Sequence, residues 1–267
     1  GPTKQLAEIE SSKVYSRELA AQLGIPGPRF ATFDKGAHQL AMAWWKQLDA
    51  PIVVKQSGLA GGKGVVVPDN EAETEAAIMD ACAIGQVVLE EMLRGPECSL
   101  MALCDGVISV PLPIAQDHKR IGEGDLGANT GGMGAYAPVS VPYALDELSA
   151  TFIQPIIDHF ARLGTPYKGV LYAGLMLTKD GPRLLEYNCR FGDPEAQVLL
   201  SLISTDLVEI ALACVSGMLE SVRVQTKPIS AIAVVMTAAH YPLTPHIGDQ
   251  VLGVDDAGLY TNIFHGG

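Results

Sequence analysis

The stretch LLEYNCRFGDPEAQ, residues 184–197, carries Glu186 and Asn188 two residues apart, with Arg190 two further on. On a strand, side chains alternate faces, so Glu186 and Asn188 point the same way. A carboxylate and an amide oxygen side by side suit a hard cation such as Mg²⁺, which takes oxygen ligands and is usually shared with phosphates. A half-exposed edge strand running into a polar turn is the plainer reading of the same residues. Three further stretches bear on the choice. VVKQSGLAGGKGV (53–65) is not a Walker A loop: neither Ser nor Thr follows Lys63, and its glycines fall between strands instead of ahead of a helix. Gly58, Gly61, Gly62 and Gly64 still allow backbone N–H groups to approach an anion, and Lys55 and Lys63 bring positive charge. A flexible hairpin tip is the alternative there. VVLEEML (87–93) puts Glu90 and Glu91 at the end of an apolar strand, with Glu97 close behind. It is either a solvated strand end or a hinge whose backbone meets an adenine edge while a glutamate accepts from ribose hydroxyls. AQDHKR (115–120) gathers an acid, an imidazole and two cations in six residues, and His118 is its acid–base candidate. A charge run of this kind is more often a solvated face.

The elements that must carry these residues are set by periodicity and punctuation. Apolar spacing at Leu6, Ile9, Val14, Leu19 and Leu23 predicts a helix within 2–26, stopped by Gly24 and Pro26. HQLAMAWWKQL (38–48) and NEAETEAAIMDACA (70–83) read as helices, the second with an acidic first turn that suits its dipole. PIVVKQS and VVVP form a hairpin with a glycine-rich tip, and QVVLEEML (86–93) is a strand. ECSLMALCDGVISVPLP (97–113) is two strands around an Asp-Gly turn. AQDHKRIGEGDLGANTGGMGAYAP (115–138) reads as one long irregular segment, the kind that is usually functional. A helix with a kink at Pro155 is expected over 145–164, a hairpin over 169–188 and two helical pieces over 195–219. A strand at 229–238 and a turn-rich tail complete the chain. Interleaved helices with strands mostly in hairpins predict an α+β fold with largely antiparallel sheets, not a parallel nucleotide-binding sheet.

Of 267 residues, 48% are hydrophobic and 18% charged, which is a globular composition with enough chain for a real core. The net charge of −12 argues against nucleic acid or an anionic membrane as the partner, so any phosphate must be met by local cations and backbone N–H groups. No apolar window is long enough to span a bilayer, and Lys4, Glu8, Glu10 and Lys13 interrupt any signal-peptide core. The five cysteines (Cys82, Cys98, Cys104, Cys189, Cys214) are irregularly spaced with no CxxC pair; buried filler in a reducing cytoplasm is expected.

A strand-end lysine, a glycine-rich hairpin, a carboxylate strand end and Glu-x-Asn on another strand are the parts of an ATP·Mg²⁺ cleft between two sheets. VVKQSGLAGGKGVVV, PLPIAQDHKRIGEGDLGANTGGMGAYAP and GVLYAGLMLTKDGPRLLEYNCRFGDPE resemble the ATP-grasp region of the glycinamide ribonucleotide synthetase (phosphoribosylamine–glycine ligase) family, as does the opening GPTKQLAEIESSK. The resemblance runs over nearly the whole chain. It implies an ATP-grasp fold: an opening helix over 1–20, a smaller subdomain with the glycine-rich hairpin over 21–95, a larger subdomain with the metal and substrate site over 96–225, and the start of a C-terminal domain over 226–267. It also implies an N-terminal domain, in cis or in trans, that this stretch does not include.

For single residues the resemblance implies definite roles. Lys13 and Lys55 reach the phosphates, and the hairpin with Gly58, Gly61, Gly62, Lys63 and Gly64 closes over them. Glu90, Glu91, Leu93 and Glu97 form the hinge that receives adenine and ribose. Glu186 and Asn188 hold Mg²⁺ (or Mn²⁺). The strand LYAGLML (171–177) lacks the further metal carboxylate of many ATP-grasp enzymes, as in the glycinamide branch. The implied reaction phosphorylates the glycine carboxylate with ATP and passes the glycyl group to the amine of phosphoribosylamine. Arg190, Asp117 and Lys119 are its catalytic candidates: Arg190 for the acyl phosphate or carboxylate, Asp117 for the glycine ammonium. His118, Lys119, Arg120, Asn129 and the backbone of Gly131, Gly132 and Gly134 are candidates for the ribose phosphate, with Asp193 and Glu195 completing the substrate set. Another ATP-grasp carboxylate–amine ligase, or a nucleotide-binding fragment without catalysis, is the alternative.

Overall fold

The computed structural model describes residues 1–58 and 64–266. The helix expected over 2–26 is two: α1 (Glu8–Ser11) and α2 (Lys13–Gln22). Ser12 is extended between them, and its Oγ accepts a hydrogen bond from the Tyr15 N–H at 3.2 Å, which starts α2 afresh. Then come β1 (Phe30–Phe33), α3 (His38–Leu48), β2 (Ile52–Gln56), β3 (Val65–Val66), α4 (Glu71–Ile84) and β4 (Val87–Glu91). These strands form an antiparallel sheet in the order β1-β4-β2-β3. Strand β1 had no sequence signal, because FATF is too short to show a period. Asn70 caps α4: its Oδ1 accepts from the Glu73 N–H at 2.9 Å, and the Glu73 carboxylate accepts in return from the Asp69 N–H at 3.0 Å. α3 and α4 cover one face of the sheet, around Trp45, Ile52, Val54, Ile78, Val87 and Leu89. The alternate residues, Lys55 and Glu90 among them, therefore point to the other face.

The rest is built on β5 (Glu97–Asp105) and β6 (Ser109–Pro111), followed by β7 (Gln116–Asp117), β8 (Arg120–Gly122), β9 (Leu126–Asn129) and β10 (Gly134–Ala137). Helices α5 (Leu145–Phe152) and α6 (Gln154–Arg162) lead to β11 (Lys168–Thr178), β12 (Gly181–Asn188), α7 (Glu195–Leu202), α8 (Leu207–Ser216), β13 (Ala231–Val234) and α9 (Val254–Gly258). The second sheet runs β12-β11-β5-β6, again antiparallel. Leu100, Ala102 and Cys104 of β5 face a core shared with α1, α2, α5 and α6, while Met101 and Leu103 face one shared with α7 and α8. Burial on both faces is why ECSLMALC reads as an unbroken apolar run. Pro155 starts α6 in its first turn, so the expected kink is a break at Ile153. The segment 115–138, read as one irregular loop, instead holds four short strands; its glycines hide any alternation. β13 pairs with β10 across the expected 225/226 boundary, in a sheet ordered β13-β10-β7. Cys82, Cys98, Cys104 and Cys214 are buried and Cys189 is half-buried. No helix among the described residues is long and apolar enough to cross a membrane.

Residues 92–96 join the two sheets. Gly95 there has φ of +152°, and a Cβ on it would collide with the Leu177 carbonyl oxygen. Gly95→Ala is expected to destabilise the fold by about 1–3 kcal/mol, measured as a lower urea midpoint, because backbone conformation and backbone contact both exclude a side chain.

Candidate active site

A cleft of about 260 Å³ opens between the two sheets, lined by Glu10, Lys13, Arg17, Lys55, Glu90, Glu186, Asn188 and Arg190. Its far wall is β12. A β-bulge at Leu185 interrupts the β11–β12 pairing, so Gly174 lies opposite Glu186 but Leu175 opposite Leu184. The extra residue shifts the alternation and re-aims the side chains beyond it. Leu184 and Tyr187 are both buried in the core, although three residues apart, and Glu186 is left exposed in the cleft. The expected Glu-x-Asn face is therefore real, and it lies just beyond the bulge.

The near wall comes from α2 and the smaller sheet. Lys55 is buried; its Nζ donates to Glu90 Oε2 at 2.9 Å and to the Leu185 carbonyl at 3.0 Å. Register sets Glu90 opposite Val53, one diagonal step from Lys55 on the same face. Lys13 Nζ donates to the Gly58 carbonyl at 3.1 Å, at the start of the glycine-rich hairpin. Burial pushes the Lys13 ammonium below the ordinary lysine range; Glu186 opposes this and Lys55 adds to it. Such a cation gains from an incoming anion. Gly61, Gly62 and Lys63 lie outside the described residues; Gly58 and Gly64 line the cleft.

Glu90 is not the solvated strand end, nor the ribose acceptor, that its sequence suggested. It is 4% exposed, and both carboxylate oxygens are taken by cations. Burial pushes its carboxyl up, but Lys55 and Arg17 together outweigh this and hold it below the usual range. Glu91 turns away and pairs with Arg29 at 2.6 Å. Leu93 lies just past β4, partly buried.

A second cluster sits beside β5. Glu97 Oε2 pairs with Lys119 Nζ at 2.8 Å, so the hinge and substrate candidates hold each other. Burial lowers the Lys119 ammonium, yet Glu97 and Asp117 outweigh this and hold it above the ordinary lysine range. Asp117 is raised to about 6 by burial, with Glu195 and Glu97 adding to the rise and Lys119 opposing it. Glu195 is a correction: at 2% exposed it lies beneath the site, its Oε1 accepting from Ser99 Oγ and Tyr172 OH, each at 2.9 Å. The glycines of TGGMG are corrections too. A Cβ on Gly132 would collide with Pro194 and one on Gly134 would stand 2.6 Å from the Ala233 carbonyl oxygen, while the Gly131 N–H donates to Tyr241 OH at 3.0 Å. The Gly131 and Gly132 N–H groups thus already have partners, the second in Thr130 Oγ1 at 3.0 Å, and Gly132 and Gly134 permit close packing. His118 stacks on Tyr136. Arg120 and Asn129 pair on the β8–β9 hairpin, where Arg120 Nη1 donates to the Gly127 carbonyl, and neither lines the cleft. Asp193 is exposed and accepts from Gln197 Nε2 at 2.7 Å.

Arg190 reaches the cleft, held by Glu10: its Nε lies 3.2 Å from Glu10 Oε1, while the Cys189 N–H donates to Glu10 Oε2 at 2.7 Å. Glu10 and Arg17 were missed in the sequence. Arg17 had a signal, since it lies four residues after Lys13 and shares its helix face; Glu10 had none. As a donor set, Glu186 and Asn188 are two hard oxygens on one face. No group of three or more His, Cys, Asp or Glu among the described residues could hold a metal alone. Two oxygens suit Mg²⁺, which keeps waters and shares phosphate oxygens, and would be poor for a metal needing a full protein cage.

The family described as "Phosphoribosylglycinamide synthetase, ATP-grasp (A) domain" matches residues 11–196. The chain is 44% identical over 277 residues to a phosphoribosylamine–glycine ligase of Mesorhizobium japonicum, covering 100% of this chain and 64% of that protein. The crystal structure of a phosphoribosylamine–glycine ligase from Thermotoga maritima has 35% identity and a TM-score of 0.83 over 92% of this chain and 64% of its own. A biotin carboxylase from Campylobacter jejuni, solved as a beta-gamma-ATP complex, shares the fold alone: 16% identity and a TM-score of 0.66, over 87% of this chain and 52% of its own. The chain spans just under two thirds of the length of the two ligases.

Proposed function

The chain belongs to the phosphoribosylglycinamide synthetase ATP-grasp (A) domain family, and from that premise we propose that it is the nucleotide-binding part of a ligase that joins glycine to phosphoribosylamine. The fold is ATP-grasp, α+β. What carries the proposal is one observation: Lys13, Lys55, Glu186, Asn188 and Arg190 line a single cleft between two sheets.

Lys13 and Lys55 hold phosphate oxygens of ATP from the near wall. Glu186 and Asn188, on the far wall, would hold Mg²⁺ (or Mn²⁺), and the ion would supply charge neutralisation for phosphoryl transfer. Arg190, oriented by Glu10, holds the glycine carboxylate or the acyl phosphate formed from it. The carboxylate takes the γ-phosphoryl group as the bond to ADP breaks. The amine of phosphoribosylamine then displaces phosphate from glycyl phosphate, and the amide forms. Positioning and charge neutralisation suffice, and no enzyme nucleophile is required. The half-buried Asp117, with Glu97 and Glu195 adding negative charge near it and Lys119 opposing them, suits an ammonium group such as glycine's.

ADP release from MgATP, with glycine alone and with glycine plus phosphoribosylamine made in situ, tests the reading. Release needing all the substrates supports the ligase. Release with a different amine overturns phosphoribosylamine as acceptor, and failure to bind MgADP overturns the nucleotide site. The Asp117 assignment has its own check. Below pH about 6 its carboxyl is protonated and loses its attraction for an ammonium, so the KM for glycine should rise as pH falls from 8 to 5. Asp117→Asn should raise KM at pH 8 and flatten that dependence; an unchanged KM would remove Asp117 from the substrate set.

A further inference from the structure

Arg17, on α2, is 5% exposed, and its guanidinium touches two other elements, one from each sheet. Nε and Nη2 both lie 2.9 Å from Glu90 Oε1 on β4. Nη1 donates to the Leu184 carbonyl at 3.0 Å and Nη2 to the Leu185 carbonyl at 2.7 Å, on either side of the bulge in β12. Lys55 meets the same two partners, Glu90 and the Leu185 carbonyl. Arg17, Glu90, Lys55 and Leu185 thus close a ring that joins α2, both sheets and the bulge. The surroundings are shaped to it: a Cβ on Gly27 would stand 2.7 Å from Arg17 Nη1.

We infer that Arg17 is a positioning residue for the nucleotide site, fixing Lys55 Nζ on one wall and the Glu186–Asn188 pair on the other at a set separation. A planar fork with donors spread over three nitrogens bridges a carboxylate and two separated carbonyls in one fixed plane, whereas an ammonium's three donors all leave a single nitrogen on a flexible stem. Two bonds of Lys55 are used within the ring, so its remaining N–H has a defined direction into the cleft. The Leu184 and Leu185 carbonyls are pinned one and two residues before Glu186, so the bulge cannot slip its register without losing Arg17. This inference rests on the nucleotide reading of the cleft.

The test is the Kd for MgADP and for adenosine, measured on the whole chain by calorimetry. Arg17→Met should weaken MgADP at least tenfold while adenosine binds as before, because the ring positions the phosphate and metal side only. Arg17→Lys keeps the charge beside Glu90 but not the fork; it should recover thermal stability and not MgADP affinity. Should Arg17→Met fail to fold, Gly27→Ala pushes the guanidinium aside with every charge retained, and should weaken MgADP several-fold. A folded Arg17→Met or Gly27→Ala chain with the original MgADP Kd would overturn the inference. So would equal losses for MgADP and adenosine, or full recovery in Arg17→Lys. If the unsubstituted chain bound adenosine and not MgADP, the nucleotide reading would fall first, and this inference with it.

Discussion

Glu186→Ala is expected to weaken magnesium-dependent nucleotide binding by at least roughly 10- to 100-fold, the scale already seen when only an outer-shell partner of a metal ligand is lost. Glu186 is the charged member of the oxygen pair, and Asn188 alone offers a neutral amide that competes poorly with water for a divalent cation. It also offsets the burial that depresses the Lys13 ammonium, so its loss weakens both walls of the cleft. Calorimetry with ADP, with and without Mg²⁺, checks this. In the original chain Mg²⁺ should tighten binding; in Glu186→Ala it should make no difference. Glu186→Gln should behave like alanine, because charge is what the site needs. A magnesium effect that survived in both variants would move the metal elsewhere.

Glu90→Ala should cost roughly 3–5 kcal/mol of folding stability, since removing one member of a buried ionic network leaves the others uncompensated. Arg17 and Lys55 would face each other across an empty carboxylate position, held only by carbonyls. Urea unfolding followed by far-UV circular dichroism measures the loss; a loss under about 1 kcal/mol, the range of exposed pairs, would mean the network is solvated. The same carboxyl has a pH signature. Its folded pKa lies below the ordinary glutamate value of 4.5, so it stabilises the fold above that value and the contribution disappears as pH falls through the folded pKa. Glu90→Gln should therefore lose less stability on acidification than the original chain.

Local features carried much of the fold. The α3 residues and the hairpin over 169–188 were legible because apolar spacing and an Asp-Gly turn are properties of neighbours in sequence. Lys13, Lys55, Glu186, Asn188 and Arg190 were legible as oxygen ligands and cations of the right chemistry, from the resemblance and from the two-residue alternation on a strand. The segment 115–138 was not, because its strands are too short and too rich in glycine for any period to register. Glu90, offered as a solvated strand end or a ribose acceptor, and Glu195, offered as a substrate contact, are instead engaged by partners that no local pattern could reveal: Arg17, Ser99 and Tyr172 lie 73, 96 and 23 residues away along the chain. Sequence by itself thus determined which cations and oxygen donors this protein has available for the proposed phosphate, metal and carboxylate contacts. Which of them face the cleft, and which are consumed in holding one another, was decided only when the bulge at Leu185 and the pairing of two sheets brought distant charges within 3 Å, where burial makes each contact strong and each missing partner costly.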